Sequence, residues 1–220
     1  MKKKIVVMLL AAVVLSASAS AGFIPLSEDF ENPVVVGFDD KTAPANWRYA
    51  DQGYGANKCG LNNDGAGNQV FSFRYTNSGV TTNEGVIGNL ELGQTYTITF
   101  DVAADQDLTR LPYNVQLAAF EAGVGRNDAR ESFIDGGNAV VLAEAIGSAP
   151  DTGAWATVSF EFTADAVDNA ASIGKDLGIR ILGASTSANI DNVSISAVPE
   201  PATLCLLGLG GLLLRRKRLS

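Results

Sequence analysis

The chain has 220 residues, with 16 Lys and Arg against 24 Asp and Glu, no histidine and two cysteines. Without histidine there is no Ser-His-Asp triad, no imidazole general base and no His-rich zinc site. Three of the basic residues stand at the N-terminus and four at the C-terminus, so residues 22–198, which leave out Glu200, carry nine bases against 23 acids, a charge of −14. That excludes the basic footprint a nucleic-acid partner requires.

Lys2, Lys3 and Lys4 precede an apolar run from Ile5 to Leu15, and small residues follow to Ala19-Ser20-Ala21. This is the layout of a secretory signal peptide over residues 1–21, which addresses the chain to the secretion machinery and is set aside from the fold. Residues 22–197 form the expected body, long enough for one domain with its own core. Cys59 is its only cysteine, so the body has no internal disulfide, and Cys205 lies in the tail.

The body reads as β throughout. Apolar and polar residues alternate, glycine and asparagine clusters interrupt, and no helical stripe is sustained. In chain order the expected strands are Val34 to Phe38, Trp47 to Ala50, Gln69 to Thr76, Val86 to Leu92, Gln94 to Val102, Asn114 to Phe120, Ala139 to Ala145, Trp155 to Thr163, Leu177 to Leu182 and Asn189 to Ala197. Two are especially regular. Tyr96, Ile98, Phe100 and Val102 alternate with Thr95, Thr97, Thr99 and Asp101, and Ala156, Val158, Phe160 and Phe162 alternate with Thr157, Ser159, Glu161 and Thr163. Each has one face for the core and one for water. Long loops are expected over Asp51 to Asn68, where five glycines crowd together, and over Glu121 to Asn138. About ten strands separated by turns predict an all-β sandwich or jelly roll.

The chain ends differently. After Val198-Pro199-Glu200-Pro201 come 13 uncharged residues, Ala202 to Leu214, and then Arg215, Arg216, Lys217 and Arg218. A helix over that run spans about 20 Å, short of a hydrocarbon layer about 30 Å thick. The basic end stays on the cytoplasmic side, which places the body outside.

This order of Pro-Glu-Pro, short apolar run and terminal basic cluster over residues 198–220 resembles the PEP-CTERM sorting signal of Gram-negative bacteria. The resemblance implies transient anchoring in the inner membrane and handling by an exosortase-type transpeptidase near Pro199, Glu200 and Pro201. It also implies delivery of the body to the cell surface or extracellular matrix, in a setting of exopolysaccharide and biofilm.

The body resembles the galactose-binding-like β-sandwiches that include carbohydrate-binding modules. The matching pieces are Asp29-Phe30-Glu31-Asn32-Pro33, Trp47, the run from Leu92 to Asp101, Trp155 leading into Phe160, and Ile190-Asp191-Asn192-Val193. The family implies a structural calcium ion between an acid of the first strand and an aspartate of the last, here Glu31 and Asp191. By alternation, Asp191 should share the inward face of Val193 and Ile195, where a carboxylate needs a partner. A capping role at the sheet end is the alternative.

For polysaccharide, the chemistry asks for aromatic platforms beside polar groups. Candidates are Tyr49, Tyr54, Arg74 and Tyr75, with Tyr113 in addition. Trp47 and Trp155 are expected in the core. The expected function is therefore a secreted, non-catalytic protein that binds or organises exopolysaccharide. The alternative is a purely structural matrix or surface-layer protein, and no motif nominates a carboxylate pair for a glycan hydrolase.

Overall fold

The computed structural model describes residues 22–35, 43–50, 59–63, 67–73, 78–104, 112–121, 139–183 and 188–199. Among them there is no helix, and eleven strands form two antiparallel sheets packed face to face. These are β1 (Leu26–Glu28), β2 (Trp47–Ala50), β3 (Cys59–Asn63), β4 (Gln69–Phe73), β5 (Ser78–Thr82), β6 (Gln94–Ala103), β7 (Pro112–Phe120), β8 (Ala139–Ser148), β9 (Ala156–Thr163), β10 (Asp176–Gly183) and β11 (Asn189–Pro199). The first sheet runs β3-β4-β11-β6-β9, with β1 also paired to β11; the second runs β2-β5-β10-β7-β8. The all-β sandwich expected from alternation is the fold observed.

The core lies between the sheets. From the first come Phe71, Phe73, Tyr96, Ile98, Phe100, Ile190, Val193 and Ile195; from the second, Trp47, Val80, Val115, Leu117, Leu177, Ile179 and Ile181. Phe71 and Phe73 meet edge to face with centroids 5.0 Å apart, and Tyr113 packs on Phe100 in the same manner at 5.5 Å. Burial of such rings is the largest favourable contribution to the fold.

On the outer face of the first sheet, the polar halves of β6 and β9 meet in register. Thr95 bonds Thr163 at 2.9 Å, Thr97 bonds Glu161 at 3.3 Å, and Thr99 bonds Ser159 at 3.2 Å. Thr95, Thr97 and Thr99 thus belong to a hydroxyl ladder of cross-strand pairs.

Four expectations need correction. Val86 to Leu92 is a set of turns with one isolated bridge, because Gly85, Gly88 and Gly93 take positive φ and bend the chain; Ile87 and Leu90 still plug the core. The expected loop from Asp51 to Asn68 contains β3, which pairs with β4 from Cys59↔Phe73 to Asn63↔Gln69. Val34 and Val35 form no strand, and the N–H of Val35 is taken by the side-chain Oε1 of Gln69 at 2.6 Å. Trp155 is exposed, unlike Trp47.

Candidate functional site

The structure brings the two carboxylates expected to share a metal close together, though not on the expected face. Between Asp191 and Ser194 the pairing of β11 with β6 slips by one residue, and Asn192 takes a φ of 49° in the bulge. Ile190 therefore faces the core, while Asp191 stands on the outer face opposite Asp101, and the core-facing order resumes at Val193. Asp191 does not share the face of Val193 and Ile195.

Asp191 is nonetheless only 4% exposed. One oxygen accepts from Asn68 Nδ2 at 2.9 Å and the other from its neighbour's backbone N–H at 2.7 Å. Burial raises its pKa above the usual aspartate value; those two bonds act against the rise, and the nearby charges of Glu31 and Asp101 add to it. Glu31 is fixed by accepting the N–H of Gln69 at 2.9 Å. Gln69 in turn donates to the carbonyls of Phe30 and Pro33 at 2.6 and 2.7 Å. Glu28, which accepts from Trp47 Nε1 at 3.2 Å, is raised by burial first and by Asp29 and Asp191 as lesser causes. Carboxylates thus gather around the end of β1. Among the described residues, however, no group of three or more His, Cys, Asp or Glu is placed to hold a metal ion.

The aromatic candidates are dispersed. Trp47 is a core residue, Tyr113 is half-buried against Phe100, and Tyr49 sits on β2 by its backbone. Tyr54, Arg74 and Tyr75 lie outside the described residues, as do the signal peptide, Glu200, Pro201 and the basic end from Arg215 to Arg218.

A second polar cluster lies on the outer face of the second sheet. Because Val80, Ile179, Ile181, Val115 and Leu117 turn inward, the residues between them turn out. The pairing Arg48↔Thr81↔Arg180↔Gln116↔Glu144 is in register across all five strands. At about 4.8 Å between strands, this polar row spans about 19 Å.

Its centre is buried, with Thr81 1%, Arg180 2% and Gln116 7% exposed. Gln116 Nε2 donates to Glu144 Oε2 at 2.9 Å. The Oε1 of Gln116, the hydroxyl of Thr81 and the Oδ1 of neighbouring Asn114 have no hydrogen-bond partner among the described residues. Burial alone pulls the pKa of Arg180 below its ordinary value.

Beside this row Gly178 pairs with Ala118, and beyond them Ala118, Phe120 and Ala139 form a buried apolar cluster separate from the main core. The face therefore grades from hydrogen-bonding groups to an apolar wall. Buried polar groups are normally satisfied, so three left over on one sheet face are unusual. Sequence reading identified the strand Leu177 to Leu182 but passed over Arg180. The available signal was a single guanidinium on the face opposite Leu177, Ile179 and Ile181.

Fold and site together define a two-sheet β-sandwich with a buried polar row on the outer face of one sheet. The chain belongs to the HpiC1-like family, described as HpiC1 cyclase, whose model matches residues 28–196. Residues 197–218 match the PEP-CTERM protein-sorting motif. Among solved structures, a cyclase from Fischerella sp. TAU in complex with 4-(1H-indol-3-yl)butan-2-one is similar at a TM-score of 0.54 and 18% identity, covering 80% of this chain and 98% of that one. A second structure of a cyclase from that organism gives 0.53 and 17%, covering 80% and 99%. The xylan-binding domain from Paenibacillus barcinonensis aligns at 0.45 and 12%, covering 83% and 99%. No curated protein matched the chain.

Proposed function

We propose that this protein is exported and sorted through its C-terminal motif by an exosortase-type transpeptidase, and that its body binds polysaccharide without catalysis on the outer face of the second sheet. The observation that carries the reading is the buried row Thr81-Arg180-Gln116, in which a hydroxyl and an amide oxygen are left for a ligand to satisfy. A sugar suits it, because vicinal hydroxyls both donate and accept, and the Ala118/Phe120/Ala139 wall suits the apolar face of a ring.

The test is glycan-array binding by the body from Gly22 to Pro199, beside Gln116→Leu and Arg180→Met. Binding to a defined glycan that both variants lose supports the reading. Binding that survives both places the glycan elsewhere and overturns it.

Family membership favours a second reading, cyclisation of a small molecule at the same face. Saturable binding of an indole ketone with no response to any glycan would move the assignment there.

We also propose that Glu31 and Asp191 supply oxygen ligands to a structural calcium ion. Both are carboxylates, the ligand type a hard cation prefers, and a divalent ion would relieve the repulsion that Glu31 and Asp101 each exert on buried Asp191. Bound there, calcium would brace the end of β1 against β11.

A further inference from the structure

The last strand does not stop where the sorting motif begins. The motif match starts at residue 197, yet β11 continues through Ala197↔Tyr96 and Val198↔Thr95 to Pro199↔Gln94. The first two residues of the motif and the proline that opens Pro-Glu-Pro are therefore part of the folded sheet. No linker separates body from signal.

The two sides of β11 differ here. On one side β6 accompanies it to its end, whereas β1 accompanies it on the other only as far as Leu26↔Ile195. From Ser196 onward the strand is held on one flank among the described residues, and Val198 is 58% exposed. Pro199 has no N–H to give to a ladder. Ile195, by contrast, is buried and flanked by β1 and β6. The strand is thus weakly held at its end and firmly held one residue before Ser196.

An enzyme that takes this segment by strand addition needs its backbone groups free to pair with its own cleft. In the folded body those groups are engaged by β6. We propose that Ser196–Pro199 is the segment that docks into the sorting enzyme, and that it is delivered by peeling from β6 while the body stays folded up to Ile195. This rests on the reading of the tail as a sorting signal. Processing then requires local opening of one strand end and no unfolding of the core.

The test uses the full chain in an exosortase-bearing host, following loss of the tail by pulse-chase. Thr97 and Ser196 are directly paired, and antiparallel partners about 4.5–5.5 Å apart lie within reach of a disulfide. Thr97→Cys with Ser196→Cys, in a Cys205→Ser background, locks the strand end. The locked chain should lose its tail at least tenfold more slowly than either single-cysteine control, and a reductant should restore the control rate. Crosslinked chain processed at the control rate overturns the proposal.

If non-reducing gels show no crosslink, a six-residue Gly-Ser insert between Ala197 and Val198 decides: processing at least twofold faster supports peeling, and an unchanged rate overturns it. Should the unaltered chain keep its tail in that host, the sorting reading itself falls.

Discussion

Thr81→Val separates a binding floor from an ordinary buried row. Thr81 is 1% exposed and its hydroxyl has no hydrogen-bond partner among the described residues. Burying a hydroxyl without a partner costs about 1–3 kcal/mol. Valine keeps the β-branch that suits the middle of β5 and puts a methyl where the oxygen stood. The free protein should therefore gain about 1–2 kcal/mol, which for a domain of this size raises Tm by about 2–8 °C. Thermal unfolding followed by circular dichroism without ligand reads this directly. The same variant should bind a glycan at least tenfold more weakly, so that stability and binding move in opposite directions. A fall in Tm of more than about 3 °C would show the hydroxyl already engaged in the free protein, and the argument for a floor awaiting a ligand would be refuted.

Three further outcomes are expected. A Cβ at Gly183 would overlap Cδ1 of Phe73 and stand 2.7 Å from its Cγ, and that ring is buried in the core, so Gly183→Ala should cost about 1–3 kcal/mol in chemical denaturation. Burial pushes the Tyr96 phenol up to about 12, against the bond its oxygen accepts from the N–H of Glu91 at 2.8 Å. Because the folded value is the raised one, this stability is full below about pH 10, where the phenol is neutral in both states, and is lost as pH rises through about 12. Tyr96→Phe should flatten that loss in urea titrations at pH 9 and pH 11, while costing about 1–3 kcal/mol at neutral pH for the orphaned Glu91 N–H. Chelation should lower Tm by a few degrees, about 1 kcal/mol or more, if Glu31 and Asp191 hold calcium; Asp191→Asn should abolish the difference between chelated and calcium-loaded protein.

The sandwich was legible because β6 and β9 alternate cleanly, and a period of two leaves only one way to bury Tyr96, Ile98, Phe100 and Val102. Cys59–Asn63 and Ser78–Thr82 were not legible. Their glycines, serine and asparagines carry the composition of turns, and it is partners on both sides of β5, and β4 beside β3, that make them strands. Val86 to Leu92 misled in the opposite direction, since an apolar run resembles a strand until glycines at positive φ break it. The face of Asp191 could not be read, because alternation counts residues and a bulge inserts one that the count cannot see. The Thr81-Arg180-Gln116 row was hidden for a different reason. Its members are scattered along the chain, and only the strand order β5-β10-β7 lines them up.

The place of β11 also sets when this molecule can fold. It is the last strand to be synthesised and the one through which the first sheet is joined, with β1 and β4 on one flank and β6 on the other. The Leu26↔Ile195 pair closes a loop of nearly the whole described chain, and such distant pairings are slow to form. A chain crossing a membrane from its N-terminus cannot complete that sheet until its final residues emerge. Closure of the first sheet is therefore a late event, completed only when β11 arrives.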